Sequence, residues 1–209
     1  MVVGLGSGST ASLAVSAIGR RVAQGLRIVG IPTSEKTAEQ ARGLAISLAT
    51  LDEHDRIDLT IDGADELEPS TLDVVKGRGG ALLREKIVAS VSARLVIVVD
   101  ESKLVDRLCA GGEQIPLEVV PFGWQATTRR LRAMGADPVQ RLAAGGQPFV
   151  TDGGHFILDC RFPSFDSARE LQARLDGIVG VVEHGLFLGM ATEAIVGGAA
   201  GYRILRVRE

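Results

Sequence analysis

Alternation of short apolar runs with longer amphipathic stretches is the main pattern along the first half of the chain. The apolar and β-branched runs predict buried strands, at about 1–3, 26–31, 45–51, 57–61, 72–75 and 94–99. Helical spacing of apolar residues between them predicts helices, at about 11–24, 33–42 and 81–93. A strand–helix alternation of this kind indicates a Rossmann-like α/β domain, whose mostly parallel sheet is covered by helices.

The pattern changes after Gly111 and Gly112. Strands are predicted at 117–120, 139–142, 156–160 and 179–182, and helices at 124–134 and about 168–175. Their order, βαββαβ, is that of ferredoxin-like α+β domains. Two further strands, 193–196 and 202–207, are expected to return to the first sheet. The chain is therefore predicted to consist of a Rossmann-like catalytic domain, 1–115 with 190–209, and an inserted ferredoxin-like domain, 116–189.

Composition narrows the class of protein further. The 209 residues are 45% hydrophobic but only 4% aromatic, so the core must be largely aliphatic. A formal net charge of -3 gives no basic field for nucleic acid. The two cysteines, Cys109 and Cys160, lie in no ligand or disulfide pattern, which favours a reducing cytoplasm. No apolar run is long enough for a membrane span, and with Met1 leading directly into a strand no signal peptide is expected.

The first glycine-rich segment, 4–10, reads GLGSGST and opens a predicted helix. Free amide groups and the helix dipole at such a point bind anions, and Ser7, Ser9 and Thr10 add hydroxyl groups. No GKS or GKT follows, so the segment is not a P-loop. Because Ser9 stands where a dinucleotide fingerprint has its third glycine, a bare phosphate fits better than a nucleotide cofactor.

Charged clusters follow three other predicted strands. DGADE (62–66) follows one strand, KGRGG (76–80) follows the next apolar run, and Lys103 lies in DESK (100–103) after a third. Because open α/β sheets bind ligands at the carboxyl ends of their strands, these segments predict a site for a small anionic molecule. The competing interpretation is a set of solvated acidic turns and a surface lysine.

Glu85 lies in the helix predicted after KGRGG. A helical wheel places it away from Leu83, Ile87 and Val91, and the residues alone favour a solvated glutamate paired with Arg84 or Lys86. The histidines are too scattered for a metal-ligand spacing, at positions 54, 155 and 184. No metal and no cofactor are expected.

Eight segments together resemble the ribose-5-phosphate isomerase type A family, and they span essentially the whole chain. They are GLGSGST, IPTSEKT, DGADE, KGRGGALLREKIVA, VDESK, PLEVVPF, TDGGHFILD and GVVEHGLF. The resemblance implies interconversion of ribose 5-phosphate and ribulose 5-phosphate in the non-oxidative pentose phosphate pathway, without a metal. The implied partner is a sugar phosphate, with neither nucleic acid nor membrane, and the protein is expected to be a cytoplasmic homodimer or homotetramer.

The resemblance also assigns roles to residues. Glu85 matches the family's catalytic base, and we expect Lys76 and Asp62 to assist it. The implied substrate contacts are Ser7, Gly8, Ser9, Thr10, Asp62, Gly63, Ala64, Asp65, Lys76, Gly77, Arg78, Gly79 and Lys103. Carbonyl transfer between C1 and C2 requires one base that removes a carbon-bound proton and returns it one carbon over, through a cis-enediolate.

Two departures from the family pattern carry expectations of their own. Ser7 stands where the family often has threonine, which keeps the hydroxyl group. Family members usually begin with a helix before the first strand, whereas Met1 lies inside that strand, so a truncation or an internal start is expected.

Two other classes of function stay open, a non-catalytic sugar-phosphate sensor domain and an acyl or CoA transferase with a nucleophilic glutamate.

Overall fold

The computed structural model describes residues 1–162, 165 and 167–206. Its strands are β1 (Val2–Leu5), β2 (Val29–Pro32), β3 (Ser47–Leu48), β4 (Leu59–Asp62), β5 (Glu66–Leu67), β6 (Val74–Val75), β7 (Leu95–Asp100), β8 (Ile115–Val119), β9 (Asp137–Gln140), β10 (Phe156–Arg161), β11 (Val181–His184), β12 (Leu186–Phe187), β13 (Glu193–Gly198) and β14 (Gly201–Arg206). Its helices are α1 (Ser9–Ala23), α2 (Glu35–Gly43), α3 (Leu82–Ser90), α4 (Trp124–Ala133) and α5 (Ala168–Asp176), and a 3-10 turn (Glu101–Lys103) follows β7.

The central sheet has seven strands in the order β14-β13-β7-β4-β1-β2-β3. All neighbours pair in parallel except β13 and β14, which form an antiparallel hairpin. Val3 packs with Val15 of α1, whereas the adjacent Val2 packs with Val88 of α3. Since successive strand residues face opposite sides, helices cover both faces of the sheet. The predicted α/β fold with a mostly parallel sheet is confirmed.

A separate four-stranded antiparallel sheet has the order β11-β8-β10-β9. Together with α4 and α5 its strands follow the predicted order βαββαβ. Its core is aliphatic, with Leu117, Leu131, Leu158 and Leu175 fully buried. The domain limits at 116 and 189 stay a prediction.

A third, antiparallel sheet of two-residue strands, β12-β6-β5, was not predicted. The DGADE segment was expected to be a loop throughout, but Asp62 ends β4 and Glu66 begins β5. Glu66 tolerates burial in a strand because its carboxylate accepts the Cys109 N–H at 2.6 Å. Strands this short carry too few residues to show a period of two.

Other predicted elements differ mainly at their ends. The strand expected from 26 begins only at Val29, since Leu26 lies on the surface. The last strand was predicted to reach Val207, which lies outside the described residues.

Among the helices that the structure describes, none combines the length and the apolar character needed to cross a membrane.

Candidate active site

One cavity lies at the carboxyl ends of β1, β4 and β7. It is lined by Ser7, Gly8, Ser9, Thr10, Gly63, Ala64, Asp65, Lys76, Gly77, Gly79, Glu85 and Lys103. The fold therefore brings together Glu85 and every predicted substrate contact except Asp62 and Arg78, as expected for loops that share one edge of a parallel sheet. A larger cavity of about 470 Å³ between α2, β3 and α3 is mostly apolar and holds none of these acid–base groups.

Lys76 and Glu85, which line this cavity, belong to a buried ion cluster with Asp62. Lys76 Nζ lies 3.0 Å from Asp62 Oδ2 and 3.1 Å from Glu85 Oε1, and it donates to the Gly63 carbonyl at 2.6 Å. Lys76, Asp62 and Glu85 are each at most 5% exposed. An ammonium has three donors, so all three donors of Lys76 are used within the cluster.

Glu85 lies on the buried face of α3, in contrast to the solvated position that the residues alone favoured. That face consists of Leu82, Glu85, Val88 and Ala89, whereas Ile87 is 44% exposed. The predicted apolar stripe was therefore wrong. The charge is tolerated because its partner, Lys76, comes from another segment of the chain. In the described part of the chain Glu85 Oε2 is buried without a hydrogen-bond partner.

Burial and neighbouring charge together shift the acid–base properties of the cluster. Burial raises the pKa of Glu85 to about 8, against the attraction of Lys76 and with added repulsion from Asp62 and Asp65. Burial also raises the pKa of Asp62, although Lys76 and two amide donors oppose the shift. For Lys76 burial alone lowers the pKa, but the two carboxylates outweigh it and raise the pKa above its usual value. Glu85 thus exchanges a proton near neutral pH.

Asp62 lies behind Lys76 and does not line the cavity. Its Oδ1 accepts the Ser7 N–H at 3.1 Å and the Gly63 N–H at 2.8 Å, while Oδ2 faces Lys76. The Ser7 hydroxyl lies 2.7 Å from both Thr33 Oγ1 and Ser34 Oγ. Asp62 therefore fixes the first loop and the lysine at the same time.

The first turn of α1 provides a place for an anion beside this cluster. Its N-cap, Gly8, has φ of 93° and no side-chain cap, and the turn contains no acidic residue. Such an end leaves several backbone N–H groups without intrahelical acceptors. Lys103, at the end of the 3-10 turn after β7, lines the same cavity and adds a positive charge.

Arg78, an expected substrate contact, is not among the residues that line the cavity. Its backbone N–H donates to Asp65 Oδ2 at 2.9 Å, but its guanidinium forms an exposed ion pair with Glu113. Its backbone holds Asp65, which lines the cavity, and a contact between Arg78 and the substrate stays a prediction.

His184 was expected to be an ordinary hydrogen-bonded histidine. Asp176, Glu183 and His184 do bring potential metal-ligand atoms within 4.8 Å of one another. However, Lys86 Nζ lies 2.6 Å from Glu183 Oε1 and donates to the His184 carbonyl at 2.7 Å. The cluster therefore already contains a cation, and it ties α3 to β11.

Sequence analysis missed Arg141 and Phe149, which contact the KGRGG loop, and Asp159, which pairs with Arg141. Arg141 donates to the carbonyls of Gly77 and Arg78, both at 2.9 Å. Nothing in their local sequence indicates this contact, because it arises only when the antiparallel sheet packs beside the loop.

Comparisons with known sequences indicate one family. The model of the family described as Ribose 5-phosphate isomerase A (phosphoriboisomerase A) matches residues 29–201. A ribose-5-phosphate isomerase A from Gloeobacter violaceus is 58% identical over 205 residues, covering 98% of this chain and 88% of that protein. One from Synechococcus sp. is 54% identical over 207 residues, covering 99% and 90%.

Solved structures lead to the same family. The structure of ribose 5-phosphate isomerase A from Methanocaldococcus jannaschii matches with a TM-score of 0.93 and 40% identity, covering 99% of this chain and 91% of that one. A D-ribose-5-phosphate isomerase in complex with phospho-erythronic acid matches with a TM-score of 0.94 and 39% identity, covering 99% and 90%. With sequence and fold agreeing over nearly its full length, this chain belongs to the ribose 5-phosphate isomerase A family.

Proposed function

We propose that this protein interconverts D-ribose 5-phosphate and D-ribulose 5-phosphate in the non-oxidative pentose phosphate pathway, through a cis-enediolate. Membership of the family supports the reaction. The observation that carries the mechanism is Glu85, a buried carboxyl group on the cavity wall with one oxygen held by Lys76 and the other without a partner.

Glu85 acts as the base that moves the proton. Lys76 holds Oε1, so Oε2 is the atom that removes the proton from C2 of the open-chain aldose and returns it to C1. A base is most effective when its pKa lies near the working pH, and the pKa of Glu85 is about 8. Burial also keeps bulk water from the transferred proton.

Lys76 stabilises the enediolate by its charge. Since its three donors are already bound to Asp62, Glu85 and Gly63, the ammonium acts as a fixed positive charge in a water-poor site. Asp62 holds that ammonium in place from behind, which fits a positioning role better than direct contact with the sugar. The reaction also requires a proton to pass from O2 to O1 of the sugar, and a role of Asp62 in that transfer stays a prediction.

The phosphate binds at the first turn of α1. The amide groups after Gly8, the hydroxyl groups of Ser9 and Thr10, and the ammonium of Lys103 all border one part of the cavity. A helix N-terminus with an adjacent cation is well suited to a phosphate dianion. The sugar then extends from this end toward Glu85.

A D-ribose-5-phosphate isomerase of similar fold has been solved in complex with phospho-erythronic acid, which supports a sugar-phosphate substrate. That ligand carries a phosphate at one end and a carboxylate at the other, and a carboxylate has the planar pair of oxygens of an enediolate. The cytoplasmic location and the homodimeric or homotetrameric assembly stay predictions.

The direct test is turnover by the purified protein. Ribose 5-phosphate should be converted to ribulose 5-phosphate, and phospho-erythronic acid should inhibit competitively. Binding of ribose 5-phosphate without turnover would indicate the sensor class and contradict the proposal. A thioester trapped on Glu85 after incubation with an acyl-CoA would indicate the transferase class instead.

A further inference from the structure

The KGRGG loop, residues 76–80, has few means of holding its own shape. Three of its five residues are glycines, and Gly77 and Gly80 have φ of 109° and 79°. One turn hydrogen bond holds the loop from within, from the Gly80 N–H to the Gly77 carbonyl at 3.0 Å. Because glycine readily adopts many backbone conformations, contacts from outside the loop add to the selection of the one seen here. Gly77 and Gly79 line the cavity, and any change in loop shape changes the site.

Arg141 supplies the main contact on the outer side of this loop. Its Nη1 donates to the Gly77 and Arg78 carbonyls, both at 2.9 Å. Its Nε donates to Asp159 Oδ2 at 2.9 Å, and Nη2 pairs with the other oxygen of the same carboxylate. The Arg141 side chain is 15% exposed, so this two-point ion pair is largely shielded from water.

The direction of these two carbonyls determines where two amide groups point. In a trans peptide unit the C=O and the following N–H point in opposite directions, and the described residues contain no cis peptide bond. The Gly77 carbonyl points to Arg141, and the Arg78 N–H accordingly points the other way, onto Asp65 Oδ2 at 2.9 Å. By the same rule the Gly79 N–H points away from Arg141, toward the cavity that Gly79 lines.

Phe149 packs against the KGRGG loop at a second place, Gly80. A β-carbon placed on Gly80 would lie 2.4 Å from Phe149 Cζ, so the ring packs directly against the glycine backbone. The Arg141 guanidinium lies 5.9 Å from the centre of the same ring. The connection between β9 and β10 therefore presents Arg141 and Phe149 to one loop of the site, and Asp159 of β10 holds the arginine.

We propose that Arg141 is a positioning residue for the isomerase reaction, held by Asp159, which orients the KGRGG loop so that the Gly79 N–H donates to an anionic oxygen of the sugar phosphate. The inference rests on the proposed function, since it concerns the same cavity. Arg141 acts through the loop backbone and does not contact the substrate.

The test compares Arg141→Met with a matched control, Arg130→Met. Arg130 also donates to a backbone carbonyl, that of Val179, which is not part of the KGRGG loop. Arg141→Met should raise KM for ribose 5-phosphate and Kd for phospho-erythronic acid by about tenfold to hundredfold, as expected when a hydrogen bond to a charged group is lost. The kcat should fall less, and Arg130→Met should resemble the wild type in both constants.

Two further variants separate positioning from general stability. Arg141→Lys should recover part of the affinity, because an ammonium can reach one carbonyl. Asp159→Asn should raise KM in the wild-type background but add little in Arg141→Met, because the two residues act as one unit. These constants should be measured well below each variant's melting temperature.

The outcomes distinguish the two proposals. Wild-type protein that does not isomerise ribose 5-phosphate would contradict the proposed function. Active wild type with unchanged KM in Arg141→Met, or with the same change in Arg130→Met, would overturn only the role of Arg141. Additive effects of Arg141→Met and Asp159→Asn would also overturn it.

Discussion

Replacement of Glu85 by glutamine should abolish most activity and at the same time stabilise the protein at alkaline pH. Burial raises the pKa of Glu85 from its ordinary 4.5 to about 8. Between these values the folded chain keeps a proton that the unfolded chain releases, so the free energy of unfolding falls as the pH rises. The slope is about 1.4 kcal/mol per pH unit, and the loss reaches on the order of 5 kcal/mol above pH 8.

Glu85→Gln removes this ionisation while keeping nearly the same shape. At pH 5 the amide and the protonated acid are both neutral, and the two proteins should have similar stability. At pH 8.5 the variant should melt on the order of 10 °C higher, since each kcal/mol shifts the midpoint by a few degrees in a chain of this size. Its kcat should fall by about 10²–10⁴, while phospho-erythronic acid still binds.

The assays are thermal unfolding at pH 5, 7 and 8.5 and the isomerase rate over the same range. The matched control is Glu39→Gln, an exposed glutamate of α2, which should change neither property. A loss of activity below tenfold would show that another group is the base. If the difference in melting temperature between Glu85→Gln and the wild type does not grow with pH, burial does not raise the pKa of Glu85.

Two other predictions concern the phosphate and the absence of metal chemistry. Lys103→Ala should raise KM for ribose 5-phosphate more than it lowers kcat, as expected when binding common to ground and transition states is lost; steady-state kinetics that show the reverse would place Lys103 in the chemical step. Activity should survive EDTA, because Lys76 already places a cation between the carboxyl groups of Asp62 and Glu85. Deuterium from D₂O should appear at C1 or C2 to the extent that the proton on Glu85 exchanges with solvent before it is returned. Activity lost with EDTA and restored by Mg²⁺ would contradict this route.

Sequence pattern was sufficient for most of the fold. The sequence predicted strands that are rich in β-branched residues, such as β7, and helices with a regular apolar stripe, such as α4. Both kinds of element repeat their buried apolar residues at a fixed spacing. The three-stranded sheet of β5, β6 and β12 could not, because two residues cannot show a period. The edge where the ligand loops meet was predictable from the strand-end rule alone.

The burial of Glu85 marks the limit of such reasoning. A pattern of hydrophobic and polar residues predicts that a charged residue lies on the surface. It contains no information about Lys76, which a different segment of the chain places beside Glu85 in the interior. Resemblance to the family identified Glu85, but the cluster that it forms with Lys76 and Asp62 depends on how three separate segments fold together. Neither the hydrophobic pattern nor the family resemblance indicated Arg141, because its contacts with the KGRGG loop depend on how the antiparallel sheet packs beside that loop.

The placement of β8 beside β11 has a consequence for how the chain folds. Strand β13 must pair with β7, although they are far apart in sequence. Because β8 and β11 are antiparallel neighbours, with Leu117 opposite His184, the chain leaves and re-enters the antiparallel sheet at the same place. If that sheet forms first, the flexible chain to be closed shrinks from about 90 residues to about 20, which lowers the entropic cost of closure by about 1 kcal/mol. The antiparallel sheet would then hold the two ends of its own segment together, which brings β13 and β14 close to β7 at the edge of the seven-stranded sheet.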